Sequence, residues 1–140
     1  MTTVSATQVR KEWSAVVDSV IRDKPKFIKR TRDYMFLSDI TVLENLLSAY
    51  TYHAKSFTED DGSITVALDE IDLAENGADL NDALQKLAHA ILEYSEDYYK
   101  EFAYWSAGAG KSHLPYVFKA LILNDEEKIR SLIKCRRGKN

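Results

Sequence analysis

Between Val4 and Leu47 the apolar residues change their period twice. Ala6, Val9, Trp13, Val16, Val17, Val20 and Ile21 recur at steps of three and four, which traces one face of a helix. Thr3–Ser5 can form a short strand ahead of it, with Ser5 or Thr7 as the helix cap. Pro25 ends the helical region, because the residue before a proline avoids the α conformation. Lys26–Arg30, with Phe27 and Ile28, reads as a strand, and Thr31, Arg32 and Asp33 as a tight connection without glycine. Tyr34–Leu37 reads as a second strand, apolar on both faces. Ser38 or Asp39 then caps a helix whose apolar positions are Val42, Leu43, Leu46, Leu47 and Tyr50. Four small elements with one thin apolar face bury little. A strand apolar on both sides needs a second cover, and another copy of the chain can supply it.

The second half has a different rhythm. Tyr52–Ser56 reads as a junction, which divides the chain into modules 1–52 and 57–140. Asp61-Gly62 is a favoured hairpin pair, and Ile64, Val66 and Leu68 alternate as in a half-buried strand. Leu73–Glu75 can form another strand, closed by an Asn76-Gly77 turn, and Asp79 is a natural cap for a long helix. That helix carries a stripe of Leu80, Leu84, Leu87, Ile91, Ser95, Tyr98, Phe102 and Trp105, with Tyr94, Tyr99 and Tyr104 beside it. Gly108–Gly110 breaks it. A last helix is expected from Pro115 to about Lys134, with Asn124-Asp125 as a possible interruption and Arg136, Arg137 and Lys139 as a frayed basic tail. The class is α+β: a small dimerising module, then a β-hairpin and a long helix.

Charge sharpens this division. The 140 residues carry a net charge of −3, but the charges are segregated. All eight basic residues of the first module lie between Arg10 and Arg32, where only Glu12, Asp18 and Asp23 oppose them. From His53 to Ser112 there are 4 basic and 13 acidic residues, and from His113 to Asn140 there are 7 basic and 3 acidic. A basic head, an acidic middle and a basic tail suggest modules with different partners. Arg10, Lys11, Lys29, Arg30 and Arg32 could neutralise phosphates, and an arginine could reach a guanine edge. The plainer reading is a solvated face.

Residues 4 to about 50 resemble the Phd/YefM family of antitoxin DNA-binding domains. Val4-Ser5, Val9-Arg10, Trp13-Ser14, Val17-Asp18, Pro25, Ile28-Lys29-Arg30, the apolar Tyr34–Leu37 and Leu43–Leu47 fill the family's pattern in order. Two positions depart from it: Arg32-Asp33 replaces the usual glycine of the hairpin turn, and Val9 replaces an alanine. The resemblance implies an αβ dimer that presents paired basic edges to a palindromic operator, with Arg10 and Arg30 at the two arginine positions that touch DNA. It also implies repression of the chain's own operon and neutralisation of a toxin.

Residues 57–92 resemble the small β-β-α element of HicB-type antitoxins, through Asp61-Gly62-Ser63-Ile64-Thr65-Val66, Asn76-Gly77 and Leu80–Leu87. An acidic, aromatic surface at Tyr94, Asp97, Tyr98, Tyr99 and Glu101 would suit a basic RelE-like toxin by charge complementarity. The competing reading is a stripe of core aromatics beside a solvated acidic face. A stand-alone DNA-binding regulator or oligomerising scaffold, without a toxin, is the alternative function.

Other chemistry has little footing. The string GAGKS at 108–112 lacks the earlier glycine of a phosphate loop, since Trp105 holds that place, and a helix rather than a strand precedes it. Cys135 is the single cysteine, and His53, His89 and His113 are widely spaced, so neither a metal set nor a nucleophile–base pair can be named. No enzyme, cofactor or metal is expected. The N-terminus lacks a signal-peptide core and no apolar run approaches a membrane span, so a cytoplasmic location is expected.

Overall fold

The computed structural model describes residues 1–139. They form seven strands in two sheets and seven helices, an α+β fold in two compact units, Met1–Leu46 and Leu47 onward.

The first unit contains β1 (Thr3–Ser5), α1 (Ala6–Lys11), α2 (Trp13–Arg22), β2 (Lys26–Arg30) and β3 (Asp33–Leu37), and α3 (Ile40–Leu47) ends at the boundary. Ser5 is the cap of α1, its hydroxyl accepting from the Gln8 amide at 3.1 Å. The expected single helix is broken at Glu12, whose backbone leaves the helical region. The apolar spacing runs straight through this break and so conceals it. β2 lies between β1, which runs parallel to it, and β3, which runs antiparallel. Thr31 and Arg32 make the two-residue turn, and Thr31 takes a positive φ of 56°. That region suits Asn or Gly and strains a β-branched residue. Val9, Val16, Val20 and Ile28 form the buried core of the unit. Asp39 is the cap of α3: its Oδ1 accepts from the Thr41 amide at 2.8 Å and hydroxyl at 2.7 Å.

The second unit has a sheet in the order β6-β5-β4-β7: Ala74–Gly77, Ile64–Leu68, Tyr52–Thr58 and Ile133–Arg137. β4 pairs antiparallel with β5 and parallel with β7. Helices α4 (Leu80–Lys100), α6 (Leu114–Leu123) and α7 (Glu126–Leu132) supply the other layer, with α5 (Phe102–Trp105) and a 3₁₀ turn over 108–113 between them. Tyr52, Ala54, Val66, Leu68 and Ile133 from the sheet close against Leu87, Ile91 and Ile129. The Tyr52 side chain is fully buried, and its hydroxyl donates to the Tyr116 carbonyl at 2.7 Å. Ser95, the polar member of the α4 stripe, is also fully buried and donates to the Ile91 carbonyl at 2.7 Å.

Several sequence expectations change here. Residues 52–56 are not a junction but the start of a central strand. Asn76-Gly77 is not a turn: both residues lie in β6, with Gly77 opposite Ile64. The long helix stops at Lys100, because Glu101 leaves the helical region and re-aims Phe102–Trp105. The last helix is interrupted at Asn124-Asp125 as expected: Asn124 has a φ of 44°, and the helix restarts on the Asp125 cap. Beyond it, 133–137 pairs with β4 as a strand instead of fraying.

Asp79 caps α4 as expected, accepting from the Asp82 amide at 2.8 Å, while Asp82 Oδ2 accepts from the Ala78 amide at 2.9 Å. This first turn sits directly on Gly77, where an added Cβ would lie 2.3 Å from the Ala83 nitrogen and 2.8 Å from its Cα. Those are backbone atoms, so the helix itself would have to move. Gly77→Ala should therefore cost about 1–3 kcal/mol, read as a lower unfolding temperature. Thr31→Asn, which relieves the left-handed turn residue, should instead stabilise by about 0.5–1 kcal/mol in the same assay.

Candidate nucleic-acid and partner interfaces

The basic residues of the first unit fall into two groups. Lys29, Arg30 and Arg32 gather at the β2–β3 tip, all exposed. Lys29 Nζ lies 5.7 Å from the centre of the Tyr34 ring, and Arg30 forms an exposed ion pair with Asp33 at 3.5 Å. Such a pair in water is worth little and is easily exchanged for a phosphate. The β1–β2 register sets Ser5 beside Lys29, which brings the start of α1 to this end of the sheet. Arg10 and Lys11 lie in the last turn of α1, just before the break at Glu12. Arg10 is the charged residue in the lining of an apolar groove of about 480 Å³, with Val9, Trp13, Ile28, Met35 and Phe36.

That groove belongs to a larger open face. Trp13 is 54% exposed, Tyr34 54%, and Met35 and Phe36 50% each. β3 is an edge strand whose side chains are half open on both sides. Exposed apolar residues in this number are unfavourable in water.

In the second unit the five residues expected to meet a partner separate into core and surface. Tyr98 is 0% exposed, and its hydroxyl donates to the Gly110 carbonyl at 2.8 Å, so it is a core residue. Tyr94 is partly buried, stacks edge-on against Tyr98, Trp105 and His113, and has its hydroxyl 2.6 Å from His113 Nδ1. It braces the 3₁₀ turn and presents little surface. Both lie on the buried side of α4, where the stripe spacing already put Tyr98. Asp97, Tyr99 and Glu101 are exposed. The break at Glu101 adds residues that helical periodicity assigned to the core or its flank. Tyr104 is 72% exposed, and the ring of Phe102 stands beside Tyr99 across Phe118, at 6.0 and 6.4 Å. No local signal separates Phe102 from a buried stripe residue, because its spacing is correct for one.

Among the described residues no group of three or more His, Cys, Asp or Glu could hold a metal, and no helix is long and apolar enough to cross a membrane. The sequence profile of the PHD-like family, antitoxins of RelE/RelB toxin–antitoxin systems, matches residues 1–135. The chain belongs to this antitoxin family. A solved structure from Syntrophomonas wolfei subsp. wolfei, described as an antitoxin part of a candidate toxin/antitoxin system, is 32% identical. It superposes with a TM-score of 0.91 over 99% of this chain and 100% of that one. Among proteins with curated descriptions, none matches significantly. Both units of the antitoxin thus lie within one family profile, and the α+β fold is shared throughout.

Two histidines clamp the helical layer of the antitoxin, with opposite pH behaviour. His89 on α4 meets Glu126 at 2.5 Å and Glu93 at 3.3 Å, and the Glu126 hydrogen bond first of all holds its proton above the ordinary histidine range. Burial lowers His113, against a smaller opposing pull from Asp72. The sign follows from linkage. The His89 contribution to stability is complete below the ordinary histidine pKa and is lost as pH rises through its own raised value. The His113 contribution is complete above that ordinary value and falls away as pH drops. In an NMR titration the His89 resonances should therefore move above the ordinary histidine range and those of His113 below it, and Glu126→Gln should lower only the former.

Proposed function

We propose that the antitoxin acts through two surfaces, one for its operator and one for a toxin. The first unit is a Phd/YefM-type module that dimerises through the open face of β3. The dimer presents Arg10, Lys11, Lys29, Arg30 and Arg32 to operator DNA, and so represses the operon that encodes it. The observation that carries this reading is a sheet edge with Tyr34, Met35 and Phe36 half exposed beside a cluster of cations. An apolar face of that kind is unfavourable in water, and a second copy covers it while doubling the basic edge. A two-fold pair of basic edges matches a palindromic site, and each phosphate contact adds to the salt dependence of binding.

The second unit blocks a basic, RelE-like toxin. Its docking surface is the exposed part of the α4–α5 corner: Tyr99, Phe102 and Tyr104, flanked by Asp97 and Glu101. Protruding aromatics ringed by carboxylates suit a basic partner, the rings supplying contact area and the acids steering approach.

Arg10→Ala should weaken operator binding about tenfold in a gel shift and flatten its salt slope by roughly 0.9 for each phosphate no longer neutralised. Sedimentation must show the dimer unchanged, because Arg10 lines the apolar groove; dissociation to monomer would place Arg10 at the subunit interface instead of on DNA. Unchanged affinity and slope would remove Arg10 from the DNA surface altogether. Phe36→Asp should shift the protein toward monomer and abolish operator binding. Co-expression with the adjacent reading frame tests the toxin: Tyr99→Ala with Tyr104→Ala should reduce copurification of a basic protein while operator binding persists. If no basic partner copurifies with the wild type, a stand-alone regulator is the better description.

A further inference from the structure

The sheet of the second unit is covered by helices on one face only. Side chains alternate along its strands, so the residues between the core positions share the opposite face. On β4 these are His53, Lys55 and Phe57, and on β7 they are Lys134 and Arg136. The register sets Lys55 beside Arg136 and His53 beside Lys134. Setting Lys55 beside Arg136 pairs like charges across the ladder, which works against the sheet, so stability does not explain that pair. Two carboxylates offset part of it. Asp69 accepts from Arg136 at 2.8 Å, and Glu70 meets the His53 ring at 2.9 Å and its amide at 2.7 Å. Lys55 and Lys134 are exposed, and neither forms an ion pair within 4.0 Å among the described residues.

We propose that this open face, built on Lys55, Lys134, Arg136 and Phe57, binds single-stranded nucleic acid, separately from the basic tip of the first unit. Lys134 lies two residues along the strands from the Lys55–Arg136 rung, about 6.6 Å, comparable to the spacing of successive phosphates. Phe57 occupies the next position on the same face, and its ring lies over Gly138, where an added Cβ would be 2.3 Å from a ring atom. Opposite Phe57 stands Thr65, hydrogen-bonded to the side-chain amide of Asn76 at 3.0 Å. An aromatic platform beside cations and uncharged polar groups is what a base and its phosphates require. An acidic peptide would use the cations and leave the platform idle.

The test uses the full chain and a labelled single-stranded oligouridylate, followed by fluorescence anisotropy. Wild type should bind with marked salt dependence. Lys55→Gln with Lys134→Gln should weaken binding at least about tenfold and flatten the log–log salt slope by about 1.4, the share of two phosphates on a single strand. Phe57→Leu should weaken binding with the salt slope preserved, and Arg10→Ala should leave it unchanged. Circular dichroism confirms that each variant is folded, and Lys55→Arg with Lys134→Arg should retain binding. Equal binding by wild type and the double glutamine variant would overturn the proposal, as would loss of binding on Arg10→Ala. Binding of polyglutamate as tightly as oligouridylate would overturn it in favour of an acidic protein partner.

Discussion

The shortage of apolar cover in the first unit is the constraint on which the rest depends. Val9, Val16, Val20 and Ile28 are the buried members of its core. The entropy of ordering a chain grows with every residue, whereas stabilisation grows with the apolar area removed from water. In a unit of this size the two are poorly matched, and the residues that could restore the balance lie at the surface: Trp13, Met35 and Phe36 are at least half exposed. In the proposed dimer a second copy supplies the cover that these side chains lack. Folding and association would then be one process, and stability would depend on protein concentration.

The second unit does not share that constraint. Its core joins both central strands to α4 and α7, and its buried Tyr52 and Ser95 hydroxyls are satisfied by nearby carbonyls. It can therefore place aromatics at the α4–α5 corner and like charges across β4 and β7 without losing its fold. Surfaces that cost stability are tolerated only where the core is in surplus.

Much of this was legible in the sequence, and the failures are specific. Periods of 3.6 and 2 located β2, β3, β5, α3 and α4, and the short polar side chains of Ser5, Asp39 and Asp79 marked helix starts, because capping is local chemistry. β4 and β7 were missed for a non-local reason. Tyr52–Thr58 buries Tyr52 and Ala54 but turns Phe57 outward, so its alternation is faint. Ile133–Arg137 is rich in cations, which strands ordinarily disfavour, and only its pairing with β4 makes it one. The breaks at Glu12 and Glu101 were invisible because the apolar spacing continues across both. For the candidate sites, charge identified the basic hairpin tip. It could not distinguish Tyr98, inside the core, from Tyr99, at 64% exposure one residue later. On a helix that difference is a rotation of about 100°, which the apolar period registers by placing Tyr98 on the stripe and Tyr99 beside it, whereas charge is blind to it.

The missed strand β7 also changes the electrostatic picture. As a frayed tail, Arg136, Arg137 and Lys139 would be a mobile charge reservoir, screened and without direction. As an edge strand fixed to β4, Lys134 and Arg136 acquire definite positions and neighbours. Lysine on an edge commonly serves to discourage pairing with another chain. That explanation covers β7 by itself, but not Lys55, which lies on a central strand with β5 on its far side. Protection of the edge cannot account for a cation there, whereas a ligand spanning both strands can. The interior position of Lys55 is therefore what separates a binding face from a merely guarded edge.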